Sequence, residues 1–218
     1  NSMALVLSPN EDWQILDPTN GLLDVVKGVI RILHDKSFVD DPTRIFRAVK
    51  YSVRFSFTIE EHTQNLIKTC IKSDHLNQIS GHRILSELSH ITEEANYIAT
   101  TKLLSSLGIL SAIHPKLEIS DTLLDRLNQL QNLSKSDPSK LLNLLFSDIN
   151  TENINSICSR LDLNPKTKQI LYDIQTIKQT SKSLSRSNIL NSELMINLDK
   201  LDIEAVSLMQ IIGGSESL

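Results

Sequence analysis

From Asp40 onward, segment after segment opens on Ser, Asn, Asp or Thr and then repeats leucine or isoleucine at helical spacing. The runs "SDTLLDRLNQLQNL", "SDPSKLLNLLF", "NTENINSICSRLDL" and "NPKTKQILYDIQTIKQTSKSL" are examples. A side-chain oxygen that caps the first turn, followed by an apolar stripe of period 3.6, specifies an amphipathic helix and not a strand. Such helices must bury their stripes against one another, so the chain is expected to be mainly α. Its 218 residues hold only 6 Gly and 6 Pro, which disfavours a turn-rich all-β design. No repeat of fixed period occurs, so a solenoid is not supported.

The helical reading has internal punctuation. "TIEEHTQNLIKTCIK" is read as a helix with Thr58 as cap and Glu61 completing a capping box. The stretch from "SGHRILSEL" to "SSLGIL" is read as helix broken near Thr92 and ended by Gly108. "NSELMINL" and "DIEAVSLMQII" are read as the last helical runs. Before Asp40 the pattern changes. "MALVLS" and "WQILD" read as two short strands around a "PNED" turn, "DPTNGLLD" as a turn, and "GVIRILH" as a third strand. Three short strands cannot seal a core alone, so they read as the trailing edge of a larger α/β domain.

Charge is unevenly spread. The net charge is −4, yet between Lys27 and Ser56 seven Lys or Arg face three Asp, leaving −8 on the rest of the chain. That fits one phosphate-binding face on an acidic protein, not a general coat for polyanions. No apolar run reaches the roughly 18 residues needed to span a bilayer, and no signal peptide opens the sequence. Cys70 and Cys158 fit no metal or disulfide spacing and are expected to be reduced thiols, consistent with a cytoplasmic setting.

The basic segment centres on "SFVDDPTRIFRAVKYSVRF". Read as one helix capped by an Asp before Pro42, it buries Ile45, Val49 and Val53. Asp40, Asp41, Arg44 and Arg47 then share the opposite face at i, i+3 and i+4 spacing, with Lys50 and Arg54 further on. Exposed ion pairs at that spacing contribute only about 0.2–0.5 kcal/mol each, so surface pairing beside an N-cap is the plain reading. The chemical alternative is a carboxylate–guanidinium reader that hydrogen-bonds the Watson–Crick edge of a base. Tyr51, Phe55 and Trp13 read as too scattered for a stacking platform, so packing is expected of them.

These residues carry a family resemblance. Asp17, Pro18, Gly21 and Asp24, then Ile30 and Arg31, then Phe38, Asp40, Asp41, Arg44, Arg47, Ala48, Val49, Lys50 and Tyr51 stand in order and spacing. The segment resembles the one after the catalytic domain in class II tRNA nucleotidyltransferases (CCA-adding enzymes) and bacterial-type poly(A) polymerases. "ISGHRILSEL", with Arg83 and Glu87, resembles the neck helix of that family, and "NSMAL" resembles the tail of its motif B with Asn1 as the asparagine. Ser2 stands where Ala is commoner, and Asp40 where Glu is commoner.

The resemblance implies three parts: residues 1–35 as the C-terminal remnant of a nucleotidyltransferase head, 36–90 as a neck, and 91–218 as a helical body. It implies that Asp40, Asp41 and Arg44 select the incoming base, and that Arg47 assists at the triphosphate or base. Asn1 and Asp24 then lie on the head side of the cleft, and Lys50, Arg54 and Arg83 bind RNA. The implied substrates are ATP or CTP and the 3′ end of tRNA or another RNA, with Mg²⁺ held by a Gly-Ser loop and a D-x-D strand. Those metal ligands are expected upstream of Asn1. Asp202 and Glu204 lie in a helical context, and Gly214–Ser215 fall three residues before the last one. No catalytic or metal residue is therefore assigned within this chain, which alone is expected to be inactive. The doublet His34-Asp35 and the other histidines show no metal-ligand spacing. A different class remains open at this stage: a non-catalytic helical RNA- or protein-binding module.

Overall fold

The computed structural model describes residues 3–7, 13–133, 137–184 and 200–212. These residues are mainly α-helical with a few short strands, as the cap-and-stripe pattern dictates. They divide into two compact units, Asn1–Leu76 and Asn77–Leu218.

In the first unit, β1 (Ala4–Val6) and β2 (Gln14–Leu16) pair antiparallel, with Ala4 opposite Leu16. The next segment departs from the expected turn. Gly21–Lys27 is a helix, α1, because Asp17 caps it from four residues upstream: its carboxylate accepts from the N–H groups of Gly21 and Leu22, each at 2.8 Å. Those bonds, Leu22's foremost, hold the Asp17 carboxyl below its ordinary range. Gly28 ends α1 with φ of 65°, a left-handed position that glycine occupies without steric cost. Only Val29–Ile30 of the expected third strand is strand, β3.

The partner of β3 is β4 (Thr58–Ile59), parallel, with Val29 opposite Thr58. Thr58 is thus a strand residue and not a helix cap. The cap of α4 (Glu61–Lys72) is Glu60, whose Oε2 accepts from the Thr63 hydroxyl at 3.0 Å. Between the strands lie α2 (Ser37–Asp40) and α3 (Arg44–Phe55). Phe38, Ile45, Phe46, Val49 and Ile67 are fully buried and make the core of this unit, while Val53 is half-buried.

Among its described residues the second unit has helices and no strand. A short 3₁₀ turn, His75–Gln78, spans the division between the units. Then follow α5 (Gly81–Thr92), α6 (Tyr97–Ser106), α7 (Ile109–Ile113), α8 (Asp121–Leu133), α9 (Pro138–Leu145), α10 (Thr151–Leu161), α11 (Pro165–Leu184), α12 (Ile203–Ser207) and α13 (Met209–Ile212). The break at Thr92 occurs as read, and Gly108, at φ of 76°, separates α6 from α7. Asp137 and Asn150 cap α9 and α10 through Ser139 N–H and Asn153 N–H. "NSELMINL" lies outside the described residues. The core joins Ile84 and Leu88 of α5 to Leu141 and Leu144 of α9 and Ile154 and Ile157 of α10. Tyr97 is buried, and its hydroxyl donates to Leu127 O at 2.7 Å, which leaves no polar group stranded there.

One charged cluster ties three parts of this unit together. Asp148 accepts from Arg126 at 2.9 Å, Lys178 at 2.6 Å and Ser120 at 3.2 Å. Partial burial pushes its carboxyl up, but the two cations outweigh burial and hold it below its ordinary value. A depressed carboxylate stabilises the fold above its unfolded pKa of about 4, and that contribution is lost as pH falls through the folded value. Asp148→Asn is therefore expected to lower unfolding free energy by about 1–3 kcal/mol at pH 7. In urea titrations, the gap between variant and parent should narrow as the pH drops below about 4.

Candidate nucleic-acid interface

The segment "SFVDDPTRIFRAVKYSVRF" is two helices meeting at an elbow, which corrects the single-helix reading. α2 stops because Pro42 excludes its predecessor from the helical region, and Asp41 is extended at φ −149° and ψ 95°. Asp41 then does what the sequence asked of an Asp before Pro. Its Oδ1 accepts from Thr43 N–H at 3.2 Å and from the Thr43 hydroxyl at 2.7 Å, capping the entry to α3. Asp40 is the last residue of α2 and Arg44 the first of α3, so helical i, i+4 spacing does not relate them. That removes the spacing argument for an Asp40–Arg44 pair, whereas Asp41 and Arg44 still share one turn through Arg44 N–H to Asp41 O at 3.1 Å.

What the elbow does is gather chemically matched groups on a fixed corner. Phe38 is buried and anchors α2, while Asp40 faces solvent and Asp41 is half-buried. Arg44 is exposed, and its Nη1 donates to Ser37 O at 3.4 Å, so its stem is laid back across α2. His34 Nε2 lies 3.9 Å from Asp40 Oδ2. From Arg44, α3 turns Ile45, Phe46, Ala48, Val49 and Ser52 inward. Arg47 and Arg54 remain exposed and Lys50 half-exposed, forming one cationic stripe along the helix.

Asp24 belongs to a different arrangement. Both its oxygens accept from Arg31 Nε, at 3.3 and 3.1 Å, and Arg31 Nη1 donates to Glu60 Oε1. The bond to Asp24 raises the Arg31 pKa further. Arg31 thus clamps α1 to the start of α4. Sequence reading matched Arg31 but gave it no role, because its partner Glu60 lies 29 residues away. Arg83 is exposed on α5 of the second unit, and Asn1 lies outside the described residues.

Among the described residues, no group of three or more His, Cys, Asp or Glu can hold a metal ion. The D-x-E pair at 202 and 204 has a structural explanation. Asp202 caps α12 through Glu204 N–H at 2.8 Å, and Glu204 accepts from Ser139 at 2.9 Å and Asn143 at 2.6 Å. His62 and Asp35 pair at 2.8 Å on the surface. Gly214–Ser215 lie outside the described residues. No described helix is long and apolar enough to cross a membrane.

Comparison with known proteins points the same way. Residues 56–120 match the family model described as "Probable RNA and SrmB- binding site of polymerase A". The A-adding tRNA nucleotidyltransferase of Geobacter sulfurreducens is 29% identical over 94% of this chain and 25% of its own length. That of Halalkalibacterium halodurans is 34% identical over 63% of this chain and 33% of its own. The chain therefore spans about a quarter to a third of the length of these two relatives. Among solved structures, a CCA-adding enzyme complexed with ATP superposes with a TM-score of 0.82 at 24% identity, covering 100% of this chain and 55% of that one. The Thermotoga maritima CCA-adding enzyme complexed with tRNA gives 0.79 at 24% identity, covering 99% and 54%. The chain is thus similar, in sequence and in fold, to the C-terminal region of tRNA nucleotidyltransferases.

Proposed function

We propose that this chain is the nucleotide-selecting and RNA-binding part of a template-independent RNA nucleotidyltransferase that extends RNA 3′ ends, those of tRNA foremost. The observation that carries the reading is the α2–α3 elbow. It sets Asp40, Asp41 and Arg44 where two helices meet, at the head of a cationic helix face.

In this reading residues 1–35 complete a catalytic head, 36–90 form the neck and 91–218 the helical body. Asp40 and Asp41 accept from the amino group of an incoming base, and Arg44 donates to its ring nitrogen or carbonyl. The pattern is one that ATP and CTP present and that one planar donor–acceptor set can read. Arg47 sits one turn along and meets the triphosphate. Asn1 and Asp24 lie toward the head, Asp24 held by Arg31. Lys50, Arg54 and, separately, Arg83 bind the RNA backbone as point and forked cations. Mg²⁺ would supply activation of the 3′-hydroxyl and neutralisation of pyrophosphate. Asp202 and Glu204 do not fit it, since they are committed to a cap and to Ser139, Asn143 and Lys166. The metal ligands are assigned to the head, and the protein to the cytoplasm.

The test is incorporation of labelled CTP and ATP into a tRNA with a shortened 3′ end. The full-length protein should add nucleotides, and the 218-residue chain alone should add none. RNA binding by the full-length protein without any 3′ addition would favour a non-catalytic binding module. Turnover by the isolated chain would show that the metal site lies within it.

A further inference from the structure

The C-terminal end of α3 corrects the expectation that its aromatic residues are scattered. Tyr51 and Phe55 are one helical turn apart, and their rings stack with centroids 6.0 Å apart at 28°. Phe57 joins them, its ring 5.7 Å from Phe55 at 46°. A helix-ending turn brings it there: Ser56 is left-handed at φ 56°, and Phe57 N–H donates to Ser52 O at 2.8 Å. Two cations flank the cluster, with Lys50 Nζ 5.5 Å and Arg54 Cζ 5.4 Å from the centre of the Tyr51 ring. Phe57 packs over Gly28, but Phe55 leaves 53% of its surface exposed.

We propose that Phe55, backed by Tyr51 and flanked by Lys50 and Arg54, is a stacking site for one unpaired nucleobase of the bound RNA. The inference rests on the RNA-binding reading above and adds a contact which that reading does not contain. An exposed ring stacked on a second ring that carries two cations matches a nucleotide in both its parts: Phe55 takes the flat face of any base, and the cations over Tyr51 take the adjoining phosphates. A protein partner with an apolar contact would gain nothing from the cations, and a bare phosphate would gain nothing from the ring. The site should therefore be tolerant of sequence, need a single-stranded nucleotide, and differ from the elbow, which reads one base edge.

The test uses the 218-residue chain and short single-stranded RNA, with an otherwise identical oligonucleotide lacking bases as the comparison. Phe55→Leu keeps an apolar side chain and removes the ring, and Phe55→Tyr keeps the ring. Because Phe55 is half outside the core, both variants should melt with the parent. Phe55→Leu should weaken RNA binding by roughly 5- to 150-fold, the range seen when a stacking ring is removed, while Phe55→Tyr stays near the parent. Binding of the base-free strand should be the same for all three. Trp13 is the only tryptophan, so Phe55→Trp combined with Trp13→Phe gives a single fluorophore that base stacking should quench. RNA binding unchanged in Phe55→Leu overturns the stacking site and leaves the RNA-binding reading standing. A change in oligomeric state without a change in RNA affinity assigns the patch to a protein contact and overturns it equally. No RNA binding by the parent chain removes both.

Discussion

Gly81→Ala should lower the stability of the helical unit by about 1–2 kcal/mol, although alanine is the better helix former. A β-carbon at Gly81 would sit 2.3 Å from Arg160 O, 2.7 Å from the Leu161 carbonyl carbon and 2.8 Å from Asp162 N. All three are backbone atoms at the end of α10, where Asp162 is held left-handed at φ 53°. They cannot swing aside as a long side chain does. Alanine's propensity gain is at most about 1 kcal/mol. Forcing extra volume into packed backbone costs about 1–3 kcal/mol and sometimes more. The close approach also seats His82 N–H on Asp162 Oδ2 at 3.1 Å and Arg160 Nη1 on Ile79 O at 3.2 Å, so separation of the two helix ends weakens both bonds. The check is a thermal melt beside His82→Ala, which alters the adjacent exposed side chain and keeps its backbone donor. Gly81→Ala should melt several degrees lower, with the control near the parent. A variant as stable as the parent would mean that α5 and α10 do not meet backbone to backbone.

The same glycine shows what was legible in the sequence and what was not. "ISGHRILSEL" announced a capped helix and a motif position, both local facts. The reason for glycine there is a contact with residues 160–162, which no local pattern encodes. The long helices were legible because cap and stripe are local, as at Asp137 with Pro138 and at Asn150. Short elements were not. β3 and β4 are two residues each and define one another across 29 residues, so Thr58 read more naturally as a cap. The seven residues of α1 are too few for a period, and its cap, Asp17, sits far enough back to look like part of a turn. At the proposed site, the resemblance singled out Asp40, Asp41 and Arg44, but no local pattern revealed their geometry. Pro42 suits a first helical turn and also forbids helix at the residue before it. The chain uses both properties, ending α2 and starting α3.

That elbow makes Arg44 the residue whose loss should cost most in function and least in fold. Its side chain is exposed, and its guanidinium donates to Ser37 O at 3.4 Å. Arg44→Ala should therefore shift the melting temperature by no more than a degree or two. In the full-length protein the expected effect falls on discrimination. A planar donor that bonds a base edge is worth about 1–3 kcal/mol against the wrong base. The ratio of kcat/KM for the preferred nucleotide over GTP or UTP should drop roughly 5- to 150-fold in single-addition assays on tRNA. Arg44→Lys separates charge from geometry. It keeps a cation for the triphosphate but loses the planar fork, so it should restore overall rate more than selectivity. Arg47→Ala should do the reverse, raising KM for every nucleotide while leaving the preference largely intact. If Arg44→Ala adds nucleotides with unchanged rate and preference, the elbow does not read the base. The cationic face of α3 would then stand as an RNA-binding surface alone.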